Sequence, residues 1–290
     1  DSAVASAASR MTSAAGTRPC LEMGSRRTHE RAAVSAARAA VIAGFAGTSN
    51  LEAGRRYGLH TIGTSAHAFT LLHDNEREAF EAQLRSLGAR TTLLVDTYDV
   101  DNAVRLGVEL AGEELGGVRL DSGDLVATAG RVRELLDSLG NTHTKITVTS
   151  DLDEYAIESL AAAPVDSYGV GTRLVTGSGA PTSSMVYKVM ARENSAGEMQ
   201  PVAKASAGKA SMGGAKLAAR RLNGMGIASA EVLGTHDDPA LHEDTRPLLV
   251  DFVREGELLP GFTGEEGVRR ATARHAASLA ELPEAARRLS

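Results

Sequence analysis

The sequence predicts an α/β fold with a second, smaller unit towards its C-terminal end, on three observations. Between Gly44 and Arg173 an apolar or β-branched run, a polar loop of Gly, Ser, Thr and Asp, and an amphipathic helix keep returning in that order, which is the sequence form of repeated βα units. The loops recur mostly at about 16 to 30 residues, the length of a strand plus its covering helix. Past Val186 the alternation stops and Gly- and Lys-rich sequence takes over.

Taken in order, residues 2–11 (SAVASAASRM) are small and helix-forming, and the missing initiator methionine predicts an N-terminally incomplete chain that opens inside an element. RAAVSAARAAVIAG (31–44) predicts an alanine-rich helix with faces small enough to lie close on a sheet. The repeated loops are GTSN (47–50), GTSAH (63–67), VDTYD (95–99), RLDSGD (119–124), TSDLDE (149–154) and YGVGTR (168–173). Between them, Asn75 is placed to cap the helix EREAFEAQLRSL, with Gly88 as its stop, and a further helix ends at Gly140. Ser150 with Asp153 three residues on resembles a capping box. KASAGKASMGGAKLAARR (204–221) is glycine- and lysine-rich, and its Lys204, Lys209 and Lys216 predict a solvated or phosphate-adjacent flexible segment; RPLLVDFVREGELL (246–259) predicts a strand pair or a strand and turn, and GEEGVRRATARHAASLAEL a terminal helix.

Composition removes several function classes. With 42% hydrophobic residues in 290, the chain can bury a sizeable core. Its net charge of -6 is spread without blocks and aromatics are 3%, so neither a basic footprint nor a stacking platform for nucleic acid is present. The single cysteine, Cys20, cannot close an internal disulfide, and no long apolar run or signal pattern occurs. These features predict a cytoplasmic protein without a membrane partner. His29, His60, His73, His143, His236, His242 and His275 are scattered without zinc spacing. No G-x-S-x-G elbow occurs. ASAGKAS (205–211) lacks the first glycine of a phosphate loop, which would fall at Ala203, and Leu174 breaks the dinucleotide fingerprint after Gly169 and Gly171.

In α/β barrels and open α/β sheets alike, loops that follow strand C-termini gather on one face, so the polar loops are expected to converge. In GVRLDSGDL, Arg119 can grip phosphate while Asp121 accepts from sugar hydroxyls or holds magnesium through water. The same residues also make a good turn, with Ser122 or Asp124 capping the next helix. Asp96, directly after TLLV, reads as ligand-facing or as a cap. Gly169, Gly171 and Thr172 can form an anion-binding nest or simply a tight turn. His67, four residues past Gly63, reads by itself as a neutral histidine bonded to nearby backbone.

Taken together and in order, EMGSRRTHERAA (22–33), FAGTSN (45–50), GTSAHAF (63–69), LVDTYD (94–99), GVRLDSGDL (117–125), TSDLDEY (149–155) and YGVGTRLVT (168–176) resemble nicotinate phosphoribosyltransferase, of the type II phosphoribosyltransferase group. The resemblance covers roughly residues 18 to 220. It implies an irregular (β/α) barrel over residues 1–185 that carries the active-site loops. Residues 186–290 would complete the barrel edge and form a smaller, β-containing domain. It also implies a homodimer with its site near the subunit interface. The implied reaction joins nicotinate and phosphoribosyl pyrophosphate into nicotinate mononucleotide and pyrophosphate, with Mg2+ carried by the substrate, and couples this to ATP hydrolysis in NAD biosynthesis.

Residue roles follow from the same resemblance. His67 occupies the position that ATP phosphorylates, and the added charge would reorganise neighbouring loops; coupling of this kind is commonly about 1 to 3 kcal/mol. Arg26 and Arg27 would approach the pyridine carboxylate and the phosphate. Ser49 stands where nicotinamide-using relatives carry an acid, and an aspartate there would repel nicotinate. Arg119 and Asp121, with Gly123 between the two carboxylates of the loop, would hold the donor's pyrophosphate and ribose, with Asp96 supporting the ribose or its magnesium. Gly169, Gly171 and Thr172 would bind the 5'-phosphate through backbone amides. The resemblance implies an N-terminal portion before EMGSRR that supplies a ring-stacking aromatic and that an N-terminally incomplete chain is expected to lack, and Met23 stands where related sequences often have an aromatic. The alternatives are a nicotinamide- or quinolinate-using relative on the same fold, against which Ser49 and the His67 motif speak respectively, and an inactive fragment serving as a dimerisation or phosphate-binding module.

Overall fold

The computed structural model describes residues 1–289 except 178, 207, 236, 237, 242 and 243, so His236 and His242 lie outside the described residues. The chain divides into two compact units. Unit 1 holds Asp1–Thr182, Thr263–His275 and the last residues; unit 2 holds Ser183–Phe262 and Ala276–Arg287.

Unit 1 is built on six parallel strands: β1 (Cys20–Glu22), β2 (Gly47–Thr48), β3 (Thr92–Leu94), β4 (Gly117–Leu120), β5 (Lys145–Ser150) and β6 (Ser167–Val170). Their order is β2-β1-β6-β5-β4-β3. Read from the other edge this is 3-4-5-6-1-2, a cyclic run of chain neighbours, which is the order of a barrel opened between β2 and β3. Consecutive parallel strands joined by helical crossovers produce that order. Leu93, Leu94, Val118, Leu120, Ile146, Val148 and Val170 are buried to 0%, as near-continuous apolar strands covered on both faces require.

The helices are α1 (Ser2–Ala15), α2 (Glu30–Ile42), α3 (Leu51–Tyr57), α4 (His67–Leu71), α5 (Glu76–Leu87), α6 (Val100–Ala111), α7 (Leu125–Ser138), α8 (Glu154–Ser159), α9 (Thr172–Val175) and α10 (Gly264–Ala280). In α2, Ala33, Ala36, Ala37, Ala39 and Ala40 are buried, so the alanine-rich helix presents the small face its sequence predicts. Most starts are side-chain caps. Asn75 accepts from Glu78 N, Asp99 from Asn102 N and Asp124 from Ala127 N, each satisfying an orphan amide of the first turn. Gly88 follows α5 at φ 82°, and Gly140 closes the turn after α7 at φ 86°.

The capping box expected on Ser150 is not formed. Ser150 is the last residue of β5, held in register with Val170 of β6, and Asp153 caps α8 instead by accepting from Ala156 N. Strand pairing outweighs the local motif. β1 lies between β2 and β6 and is too short, at three residues, to show a period.

Unit 2 contains only antiparallel pairings among its described residues. β7 (Ala191–Glu193) pairs with β8 (Met199–Pro201), β9 (Ala205–Ser206) with β10 (Lys209–Ala210), and β14 (Val253–Arg254) with β15 (Glu257–Leu258). β11 (Lys216–Leu222) is the central strand between β12 (Ala228–Thr235) and β13 (Thr245–Pro247). The flexible segment expected at Lys204, Lys209 and Lys216 is therefore corrected at its end: Lys216 opens the strand KLAARRL, because two neighbours complete its ladder. Arg220 of β11 is buried and paired with Glu231 at 2.8 Å and Glu281 at 3.0 Å, while Arg246 reaches Glu281 at 2.6 Å.

No helix among the described residues is long and apolar enough to cross a membrane.

Candidate active site

In unit 1 the segments that follow β1, β2, β4, β5 and β6, together with Gly63–His67, surround one cavity of about 590 Å³. That volume suits a small-molecule ligand. Convergence is a consequence of parallel strands: every strand delivers its following loop to the same edge of the sheet.

After β1 the chain turns through a short 3-10 segment, Ser25–Arg27, which brings Arg26 and Arg27 to the cavity wall beside Met23. After β2, Ser49 lines the same wall, and its N–H donates to Glu22 O at 2.8 Å. Gly63, Thr64, Ser65, Ala66 and His67 form a second wall. Arg119 on β4, Asp121 just past it, Thr149 to Asp151 at the end of β5, and Gly169, Gly171 and Thr172 on and after β6 complete the lining. Gly169 leaves no room for a side chain, since a Cβ there would stand 2.4 Å from Thr149 Cγ2 and 2.8 Å from Met23 Sδ.

Cross-ties fix the loops against one another. His67 Nε2 lies 3.0 Å from Asp96 Oδ1. Asp96 Oδ2 accepts from Asp121 N at 2.9 Å and from Ser122 Oγ at 2.7 Å. Arg119 Nη1 donates to Thr64 Oγ1, and Thr149 Oγ1 donates to Asp121 Oδ1. The histidine loop and the RLDSGD loop are thus joined at two points.

Electrostatically the cavity is lined by three cations, Arg26, Arg27 and Arg119, and by two carboxylates, Asp121 and Asp151. Burial lowers the affinity of Arg119 for its proton, Asp121 and Asp96 oppose that, and Arg26 adds to it; a guanidinium nevertheless stays charged in proteins. Arg119 Nε is buried with no hydrogen-bond partner among the described residues. Burial pushes the Cys20 thiol up to about 12, so this buried cysteine is a packing residue in the core.

Of the residues singled out from sequence, Arg26, Arg27, Ser49, His67, Arg119, Asp121, Gly169, Gly171 and Thr172 all line the cavity. Asp96 and Gly123 do not. Asp96, its side chain 4% exposed, lies behind the wall with both oxygens engaged, and neither expected role, ligand-facing or cap, describes it; Asp99 is the cap. Gly123 adopts φ 82° and serves the turn before α7.

Sequence reasoning passed over Glu22, Thr48, Asn50, Thr64 and Thr149. Glu22 is fully buried and accepts from Gly24 N and Thr48 Oγ1. Burial pushes its carboxyl up in pKa, against the lowering by those two hydrogen bonds. The available signal was its place, an acid ending a short apolar strand inside a motif already noted. Among the described residues no group of three or more His, Cys, Asp or Glu side chains is arranged to hold a metal.

The family model described as nicotinate phosphoribosyltransferase (NAPRTase) matches residues 19–223. The chain is 54% identical over 266 residues to nicotinate phosphoribosyltransferase pncB1 of Mycobacterium tuberculosis, covering 89% of this chain and 58% of that protein. Among solved structures, nicotinate-nucleotide pyrophosphorylase from Pyrococcus furiosus superposes with a TM-score of 0.77 at 26% identity, over 94% of this chain and 69% of that one. Human nicotinic acid phosphoribosyltransferase shares the fold, with a TM-score of 0.72 at 23% identity over 98% and 69% of the two chains. The chain spans about half the length of the curated relatives it matches. On the family match and the identity to its relatives, over a sheet and cavity that house the ordered motif loops, the chain belongs to the nicotinate phosphoribosyltransferase family.

Proposed function

We propose that this protein transfers the phosphoribosyl group of phosphoribosyl pyrophosphate to nicotinate, giving nicotinate mononucleotide and pyrophosphate in NAD biosynthesis, with ATP hydrolysis coupled through His67. The observation that carries the proposal is the meeting of Arg26, Arg27, Ser49, His67, Arg119 and Asp121 on one cavity, from four separate stretches of chain.

The residues divide into an acceptor half and a donor half. Arg26 and Arg27 attract the nicotinate carboxylate, and the neutral Ser49 adds no repulsion. Arg119, which lines the cavity, supplies a guanidinium for the pyrophosphate, and Asp121 accepts from ribose hydroxyls. Gly169, Gly171 and Thr172 receive the 5'-phosphate. The ring nitrogen attacks the anomeric carbon as the carbon–oxygen bond to pyrophosphate breaks, so no side chain need take a proton in this step. Positioning and stabilisation of the leaving charge dominate.

Magnesium fits this donor set only as a substrate-borne ion, since Asp121 and Asp151 offer carboxylates but no protein cage exists among the described residues. Bound that way it neutralises pyrophosphate charge. ATP phosphorylates the His67 imidazole and releases ADP; water later frees the phosphate. Because His67 and the donor loop share Asp96, charge added at His67 disturbs the contact that holds Asp121 and Ser122. The protein is proposed to act in the cytoplasm as a homodimer.

Acceptor choice tests the assignment. Offered nicotinate, nicotinamide and quinolinate in turn with phosphoribosyl pyrophosphate and magnesium, the protein is expected to consume nicotinate. Preference for either of the others would reassign the substrate on the same fold.

A further inference from the structure

Glu22, on the strand that leads into Met23 and the Arg26–Arg27 turn of the cavity, is a fully buried carboxyl that the proposed reaction does not use. A carboxyl removed from water is costly unless its oxygens are satisfied, and here both are. Oε1 accepts from the backbone N–H of Gly24, which immediately precedes the turn bearing Arg26 and Arg27. Oε2 accepts from the hydroxyl of Thr48, which immediately precedes Ser49. Thr48 Oγ1 also accepts from Asn50 N at 2.9 Å, and Asn50 Nδ2 donates to Ser25 Oγ at 3.0 Å, closing a ring of contacts back onto the arginine turn. Gly24 is pinned from its other side as well, since a Cβ there would come 2.1 Å from Val175 Cγ1. None of these bonds involves Arg119, Asp121, Asp96 or His67.

We propose that Glu22 is a positioning residue for the acceptor half of the site, fixing the Arg26–Arg27 turn and Ser49 relative to each other through Gly24 and Thr48. The inference rests on the assignment of nicotinate as acceptor. Its signature is selectivity: loss of the clamp loosens the groups that meet the pyridine carboxylate and leaves the donor loops tied as before.

The test is steady-state kinetics of the complete protein and its E22A, E22Q and T48V variants, with nicotinate and phosphoribosyl pyrophosphate varied separately. E22A and T48V are expected to raise KM for nicotinate about tenfold or more, as loss of hydrogen bonds to a buried carboxyl implies, with KM for phosphoribosyl pyrophosphate within about twofold. E22Q keeps an oxygen for Gly24 N and an amide that can donate to Thr48, and is expected to stay within about threefold of wild type in both. Both KM values rising together, an effect on kcat alone, or E22Q as impaired as E22A would overturn the proposal. If E22A does not fold, T48V and E22Q decide the matter by the same criteria. A wild-type protein that turns over nicotinate while T48V leaves its KM unchanged removes this inference alone; a wild type that forms no nucleotide removes the assigned reaction and this inference with it.

Discussion

In the proposed reaction the donor half depends on Arg119, which lines the cavity and is tied to Thr64 through Nη1. R119A is expected to lower kcat/KM for phosphoribosyl pyrophosphate by about 100-fold, the loss of charge-assisted bonds of roughly 1.5 to 3 kcal/mol. H67A is expected to behave differently: nucleotide formation without ATP persists and its stimulation by ATP disappears, as paired assays with and without ATP would read. Equal loss in both assays would make His67 structural instead. Such residues were legible because their chemistry is uncommon in plain turns once several motifs occur in order. Glu22 and Thr64 were not, because a glutamate's burial and a threonine's contact with Arg119, 55 positions away, are products of the fold.

At the scale of elements, two aspartates in VDTYD separate stability from chemistry. Asp99 caps α6 and touches no cavity residue among its hydrogen bonds, whereas Asp96 bonds to His67 on one cavity loop and to Asp121 N on another. D99A is expected to cost about 1 kcal/mol of stability, seen as a lower Tm, with catalytic constants unchanged in the folded protein. Loss of turnover in folded D99A would contradict this division. The helices were legible because caps and stops are local: Asn75, Asp124 and Gly88 act where they stand. Strands were less so. Ser150 offered a capping motif that pairing of β5 with β6 overrode, and KLAARRL is made of good helix formers yet ladders with β12 and β13. In both cases partners distant in sequence decided the conformation, and local propensity is weak against them.

For the whole molecule, the alternation of strand and helix carried the α/β class and the convergence of loops, since parallel strands leave their loops one edge to occupy. It did not carry the opening between β2 and β3. There the chain passes through α3, α4 and α5 and makes only an isolated bridge between Thr48 and Thr61 before β3 begins. GTSAH therefore enters the site just past that single parallel bridge to β2, from otherwise irregular chain held by Asp96 and Arg119. In the proposed reaction one cavity of unit 1 joins nicotinate to a phosphoribosyl donor. The most direct measurement is the formation of nicotinate mononucleotide and pyrophosphate by the complete protein from nicotinate, phosphoribosyl pyrophosphate and magnesium, with and without ATP. Equimolar products, increased by ATP, are the predicted result; no nucleotide under either condition would contradict it and leave a phosphosugar-binding fold without the assigned reaction.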